Sequence, residues 1–250
     1  MNEARKEIKV LMSKRERLDK ILSNIGYGSR KDVKAYVKKG VVKVNNEAVK
    51  DSSKKFNPCK DRIEIEGELI EYKEYIYLMM NKPDGVISST YDNIHRTVID
   101  LLDEGYKAFN PFPVGRLDKD TEGLLLISND GKLAHNLLSP KKHIDKIYYV
   151  KIEGEVTKDD VLKMKEGVVI DKNYKTMPAA LEIINSNKIS EVYITIKEGK
   201  FHQIKKMFKT LGKEVMYLKR ISMGYLKLDE KLLPGEYREL TQEEVELLKN

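Results

Sequence analysis

The sequence predicts an α+β fold in two parts: a small helix-helix-hairpin module, then a larger domain with a largely antiparallel mixed sheet flanked by helices. Three observations predict it. Between residues 17 and 49 the apolar positions follow helical spacing twice and then switch to a hairpin pattern. Beyond residue 75 strand-like and helix-like runs are interspersed, without the one-to-one alternation of a parallel α/β sheet. The charge is also divided. Residues 1–70 hold 18 Lys+Arg against 11 Asp+Glu and residues 71–250 hold 29 against 29, so the whole net charge of +7 lies in the first part. A basic module that meets a polyanion, joined to a balanced module with another task, fits that asymmetry.

Residues 1–13 are charged with little pattern and are expected to form a frayed or weakly helical extension. The first module then spans 14–70. From Arg17, residues Leu18, Ile21, Leu22 and Ile25 follow helical spacing up to Gly26. Ser29 with Asp32 makes a capping pair for a second helix, which buries Val33, Tyr36 and Val37 and ends at Gly40. Lys31, Lys34 and Lys38 recur at i, i+3 and i+7, so three ammonium groups line one face that suits a phosphate backbone. Val41–Val44, the Asn45-Asn46 pair and Glu47–Val49 read as a hairpin, and Asp61–Glu66 as a closing strand.

Residues 67–74 are polar and form the passage to the second domain, 75–250. There, strands are expected at 75–80, 85–89, 124–128, 148–154, 180–184 and 191–196, and helices at 97–102, 132–138, 158–166, 202–211 and 242–248. No apolar run approaches the roughly twenty residues of a membrane span and the N-terminus lacks a signal-peptide core, so a cytoplasmic protein is expected, with monomer as the default. Cys59 has no disulfide partner, and with His95, His135, His143 and His202 it offers no metal-ligand spacing.

The stretch GRLDKDTEGLLLISNDG, residues 115–131, places Arg116 and Asp118 on a tight polar turn directly ahead of a buried strand. On spacing alone, Asp118 and Asp120 read equally as turn-capping aspartates. Tyr148 and Tyr149 point to opposite faces of one strand, so at most one faces the core while the other faces a cleft or solvent. In EGKFHQIKKMFKTLG the apolar stripe is Ile204, Met207, Phe208 and Leu211. At about 100° per residue, Lys206 and Lys209 fall on the far side and Lys205 at the stripe's edge. Lys205 is there either a snorkelling surface residue or a counter-ion for a buried carboxylate.

The segments RLDKIL, GYGSRKDVKAYVKKGVVKVNNEAV and DRIEIEG resemble, over residues 15–67, the small RNA-binding domain first known from ribosomal small-subunit protein four. The resemblance implies that a basic face carrying Arg17, Lys20, Arg30, Lys31, Lys34 and Lys38 grips structured RNA through its phosphates. MNKPDGVISST at 80–90, GRLDKDTEGLLLISNDG, LLSPKKHIDKIYYVKIEG at 137–154 and EGKFHQIKKMFKTLGKEVMYLKRISMG at 198–224 resemble the successive motifs of RsuA-type pseudouridine synthases, and PGEYREL at 234–240 fits the same pattern.

That resemblance implies isomerisation of one uridine in folded RNA without a cofactor. Asp118 would be the nucleophile, Tyr148 would stack on the flipped uracil and assist proton removal from carbon five, and Arg116 would hold the gap left in the stack. Lys205, where many relatives carry arginine, would pair with Asp118. HQIKKMF, MPAALEI at 177–183 and SPKKHIDKIYY look most like the enzyme acting on small-subunit ribosomal RNA, with large-subunit RNA as the alternative substrate. Rival readings are a non-catalytic RNA-binding assembly factor and a metal-dependent nuclease built on Asp118, Asp120 and Asp130.

Overall fold

The structure is a computed structural model that describes residues 15–58, 60–70, 72–171 and 173–249. The expectations for residues 1–13 and for Cys59 lie outside the described residues. The chain forms two compact units, one of residues up to Ile76 together with Leu102–Pro111, the other of Tyr77–Leu101 and Phe112 onward.

In the first unit a short strand β1 (Glu16–Arg17) leads into α1 (Leu18–Asn24), and α2 (Arg30–Lys38) follows. The capping pair read from the sequence is present: the Asp32 N–H donates to Ser29 Oγ at 3.3 Å and the Ser29 N–H to Asp32 Oδ2 at 2.8 Å. The hairpin is β2 (Val42–Val44) and β3 (Glu47–Ala48), turned through Asn45 and Asn46, both with left-handed backbone at φ 52° and 68°. Three strands complete this unit: β4 (Lys55–Phe56), paired with β1, then β5 (Ile63–Ile65) and β6 (Glu68–Leu69), giving a sheet of order β3-β2-β5-β6. Leu18, Ile21, Leu22, Val33, Val37, Val42 and Ile63 fill its core.

The sequence places residues 102–111 in the second domain, whereas they pack with the first unit. This segment carries the one-turn helix α3 (Glu104–Lys107), and a Cβ on Gly26 (φ 94°) would stand 2.7 Å from the Ala108 Cβ. Such local packing leaves no mark on hydrophobic periodicity.

The second unit is built on a nine-stranded sheet among the described residues. Its strands are β7 (Tyr77–Lys82), β8 (Phe112–Val114), β9 (Glu122–Ser128), β10 (Lys146–Glu153), β13 (Ala180–Asn185), β14 (Ile189–Ile196), β15 (Glu214–Met223), β16 (Leu226–Lys227) and β17 (Tyr237–Glu239), while β11 (Val169–Ile170) and β12 (Tyr174–Lys175) pair separately. The main order is β13-β14-β10-β15-β9-β7-β17, with β8 on β9 and β16 on β15. Every pairing is antiparallel except β15 with β9, so the expected largely antiparallel mixed sheet is what forms. Leu124–Ile127 are all fully buried, the continuous apolar run of a strand covered on both faces. Helices α4 (Gly131–Leu138) and α7 (Gln242–Lys249) contribute Leu133, Leu137, Val245 and Leu248 to the core around Met79, Leu124 and Leu126. The remaining helices are α5 (Lys158–Glu166) and α6 (Gln203–Thr210).

Two expected elements do not form. Residues 85–89 hold only an isolated bridge from Ile87 to Thr97, and 97–102 is a run of turns. Thr97 and Asp100 do make the cap-like contact, with the Thr97 N–H 2.7 Å from Asp100 Oδ2. The contact closes a turn that does not continue into a helix. The longest strand, β15, is missing from the sequence reading because charged and apolar residues mix along it, and its burial alternation changes phase midway.

Candidate active site

Asp118 sits in the loop between Gly115 and β9, and that loop is pinned from three directions. Ser88 Oγ donates to the Leu117 carbonyl and accepts from the Leu117 N–H, both at 3.0 Å. The Gly85 N–H donates to the Lys119 carbonyl at 3.0 Å, and the Thr121 N–H to the Asp118 carbonyl at 3.1 Å. Beneath the loop lies Lys82, fully buried, whose Nζ donates to the carbonyls of Thr121 at 2.9 Å, Pro83 at 3.0 Å and Lys119 at 3.2 Å. Burial pushes the Lys82 ammonium down to about 8, against the upward pull of Asp84, Asp120, Glu122 and Asp118. Sequence reasoning missed Lys82: a lysine at the end of an apolar strand carries no signal that it points inward.

The loop joins β9 where that strand runs parallel to β15, with Arg220 opposite Gly123. A Cβ at Gly123 (φ 99°) would stand 2.2 Å from the Arg220 carbonyl oxygen, so only glycine admits this approach. The Arg220 side chain is buried and its Nε donates to the Leu124 carbonyl at 2.7 Å. On β10, Tyr148 pairs with Arg220 of β15, next to a register shift at Ile147/Tyr148 that turns the strand locally.

The structure brings Arg116, Asp118, Tyr148 and Lys205 around one cleft of about 70 Å³, together with Thr121 and His202. Tyr148 is buried, Arg116 is exposed, and the Asp118 side chain is 29 % exposed, so the carboxylate is reachable but held. Tyr149 points to the other face, as the strand period requires. Its hydroxyl donates to Glu191 Oε2 at 2.5 Å, and burial, then that bond, pushes it up to about 12.

Lys205 does not take Asp118 as its nearest partner. Its Nζ is 2.5 Å from Asp120 Oδ1 and 4.0 Å from Asp118 Oδ2. Burial raises the Asp120 carboxyl, but the Lys205 hydrogen bond and charge outweigh it and hold the group below the ordinary range. The nearer approach to the other Asp118 oxygen is made by His202, whose Nε2 lies 3.7 Å from Oδ1. His202 has left-handed backbone (φ 53°) and stands at the N-terminal end of α6, a position that helical periodicity does not single out. Gln203 fixes the preceding loop, accepting from the Lys200 N–H and donating to Glu198, both at 2.9 Å.

A larger hollow of about 170 Å³ lies on the other side of Lys205, lined by Asp84, Asp120, Glu122 and Tyr217. Three carboxylates repel an anionic ligand, so the smaller cleft is the better candidate for a polyanion. Asp130, the third carboxylate of the nuclease reading, caps α4 through the Leu133 N–H and accepts from Tyr77 at 2.8 Å. Among the described residues no group of three or more His, Cys, Asp or Glu could hold a metal ion. In the first unit Arg30, Lys31, Lys34 and Lys38 are exposed on α2, whereas Arg17 pairs with Asp19 at 2.6 Å and Lys20 with Glu16 at 3.1 Å.

Residues 76–210 match the RNA pseudouridylate synthase family, and residues 16–60 match the S4 domain. An RNA pseudouridine synthase of Bacillus subtilis (strain 168) is 53% identical over 233 residues, 93% of this chain and 98% of that protein. A ribosomal small subunit pseudouridine synthase A of Vibrio vulnificus is 41% identical (92% and 98% covered), and a ribosomal large subunit pseudouridine synthase B of Bacillus subtilis is 37% identical (94% and 96%). A crystal structure of a pseudouridylate synthase superposes with a TM-score of 0.66 at 37% identity, covering 93% of this chain and 99% of that one. With a family match across more than half its length and relatives that align nearly end to end, the chain belongs to the RNA pseudouridine synthases, isomerases of uridine in RNA, and carries an S4 RNA-binding domain.

Proposed function

We propose that the protein converts a specific uridine of small-subunit ribosomal RNA to pseudouridine, as a monomer in the cytoplasm, with Asp118 as the nucleophile. The observation that carries this reading is the convergence on Asp118 of a cation and an imidazole from the start of α6 and an aromatic ring from β10, two stretches distant in sequence from the Asp118 loop. The target nucleotide leaves its stack at a cost of a few kcal/mol, and the exposed guanidinium of Arg116 occupies the gap. Asp118 attacks the nucleotide and the bond from uracil N1 to the ribose breaks. Uracil turns against the face of Tyr148 and rejoins the ribose through C5, with the Asp118 carboxylate leaving as it does so. The C5 proton leaves with help from the Tyr148 hydroxyl, and N1 ends protonated, so the product has the atoms of the substrate. Lys205 supplies the positive charge that an ionised Asp118 needs in a partly dry cleft.

The small-subunit assignment is supported by the 41% identity to the Vibrio vulnificus enzyme and by the HQIKKMF, MPAALEI and SPKKHIDKIYY stretches. The 37% identity to a large-subunit synthase favours the second reading, large-subunit RNA, by the same kind of argument. Mapping pseudouridines by carbodiimide labelling and reverse transcription, in ribosomal RNA from cells with and without the gene, decides between them. A site lost from small-subunit RNA is the expected result, and one lost from large-subunit RNA overturns the assignment.

A further inference from the structure

We propose that Phe201 is a stacking platform for an RNA base adjacent to the target uridine, forming a second nucleotide subsite at the rim of the Asp118 cleft. Phe201 remains 68 % exposed, yet its ring is oriented by two neighbours. It stacks on the His202 imidazole, with ring centroids 3.8 Å apart and planes 21° from parallel. The Lys206 ammonium lies 5.2 Å from the Phe201 centroid and is itself held by Asp171 at 2.8 Å. The same imidazole has its Nε2 3.7 Å from Asp118. A base on Phe201 would therefore sit one ring beyond the group that touches the reacting carboxylate.

Other large apolar side chains are also exposed, Tyr91, Ile94 and Tyr225 among them, and single exposed apolar residues need no explanation. What separates Phe201 is its fixed ring beside the cleft and the cations around it. Lys200 precedes it in sequence and Lys206 reaches it from the first turn of α6, and Lys200 is also drawn over an aromatic ring, 4.9 Å from the Tyr174 centroid. Aromatic rings interleaved with lysines are the chemistry of single-stranded nucleic acid: the rings stack on any base and the ammonium groups meet the phosphates. Flipping the target uridine out of its stack bares one face on each of its two neighbours; with Arg116 against one of them, Phe201 offers the other a partner. The flexible stem of Lys206 lets its ammonium move from the ring to the incoming phosphate.

This inference rests on the reading that the Asp118 cleft holds the flipped uridine. The test uses full-length protein and a ribosomal RNA fragment containing the mapped target, intact or with an abasic residue at its 5′ or 3′ neighbour. On intact RNA, Phe201→Ala is expected to weaken binding about tenfold, within the range for loss of one base-aromatic stack, while Phe201→Tyr stays within about twofold. On one of the two abasic RNAs the Phe201→Ala penalty should shrink to less than about twofold, because the partner base is already gone. Equal binding by Phe201→Ala and wild type overturns the proposal, as does a penalty that persists undiminished on both abasic RNAs. Should Phe201→Ala lose its fold, Phe201→Leu against Phe201→Tyr carries the same comparison with bulk retained. Binding is measured in an Asp118→Asn background. If that background still forms pseudouridine, the Asp118 reading fails, whereas the coupling between Phe201 and the neighbouring base is scored independently.

Discussion

The Lys205 ammonium hydrogen-bonds Asp120 at 2.5 Å and lies 4.0 Å from Asp118, so one lysine stands between two carboxylates of the same loop. Two negative groups two residues apart would repel one another in the absence of a shared cation. Lys205 also forms the wall between the two hollows, lining both. Its charge thus sets the field on the cleft side and on the acidic side together.

Lys205→Met should lower the rate of pseudouridine formation by about 10²-fold, the typical cost of removing one electrostatic partner from a reacting group. Lys205→Arg should retain most of it. The same Lys205→Met change should move the Asp120 carboxyl upward, since Lys205 is what holds it below the ordinary range. A depressed carboxylate adds stability above its unfolded value that is lost as pH falls through the folded one. That contribution, present at neutral pH and lost on the acid side, should disappear in Lys205→Met. Carboxyl titration by NMR checks the direction, and an unmoved Asp120 would show that Lys205 is not its counter-ion.

Asp118→Asn keeps the size of the side chain and removes the charge. Pseudouridine formation should fall to background while RNA affinity stays near wild type, because phosphate contacts by lysine and arginine, not a carboxylate, provide attraction to RNA. Carbodiimide labelling with reverse transcription reads the first quantity and filter binding the second. Full modification by the variant would remove Asp118 from the reaction.

Much of this site is legible in the sequence and some of it is not, for physical reasons. The turn residues Gly115, Asp120, Thr121 and Gly123 announce a fixed loop because few residue types tolerate such backbone. Strand period alone separates Tyr148 from Tyr149. The choice of Asp120 over Asp118 by Lys205 depends on distances of an ångström or two between segments 85 residues apart in sequence, which no periodicity encodes. His202 and Phe201 are invisible for a related reason. Phe201 lies just ahead of the expected helix, and His202, its first residue with left-handed backbone, falls off the apolar stripe that flags the helix. The strand β15 is hidden by burial of Arg220 and half-burial of Tyr217 and Lys219, since polar residues there occupy positions that a binary pattern assigns to solvent.

Lys82→Met should destabilise the protein at neutral pH by about 1–3 kcal/mol, because the carbonyls of Pro83 and Thr121 lose the Lys82 donor and that of Lys119 is left with the Gly85 N–H. Activity should fall further than stability explains, since those bonds hold the Asp118 loop. The pH dependence is distinctive. Lys82 is pushed from 10.5 down to about 8, so between those values the unfolded state holds a proton that the folded state has released. Stability rises with pH where the unfolded state binds more protons. The stability gap between wild type and Lys82→Met should therefore widen from pH 8 toward pH 10, as read by denaturant unfolding. A gap that narrows would mean that the buried amine is not strained in its charged form.

On α2, Lys31, Lys34 and Lys38 are exposed on the flank of the helix. If they meet RNA phosphates, replacing all three with Gln should reduce the slope of log affinity against log salt by roughly two to three, at about 0.7–0.9 per phosphate contact. Arg17 and Lys20 provide the internal contrast. Each is already paired, with Asp19 and Glu16 respectively, so docking on RNA has to compete with an existing partner. Arg17→Gln with Lys20→Gln should change the slope by less than one. Equal slopes for wild type and the triple variant would move the docking role off this helix face, and a larger change from Arg17 and Lys20 would place it at the start of α1 instead.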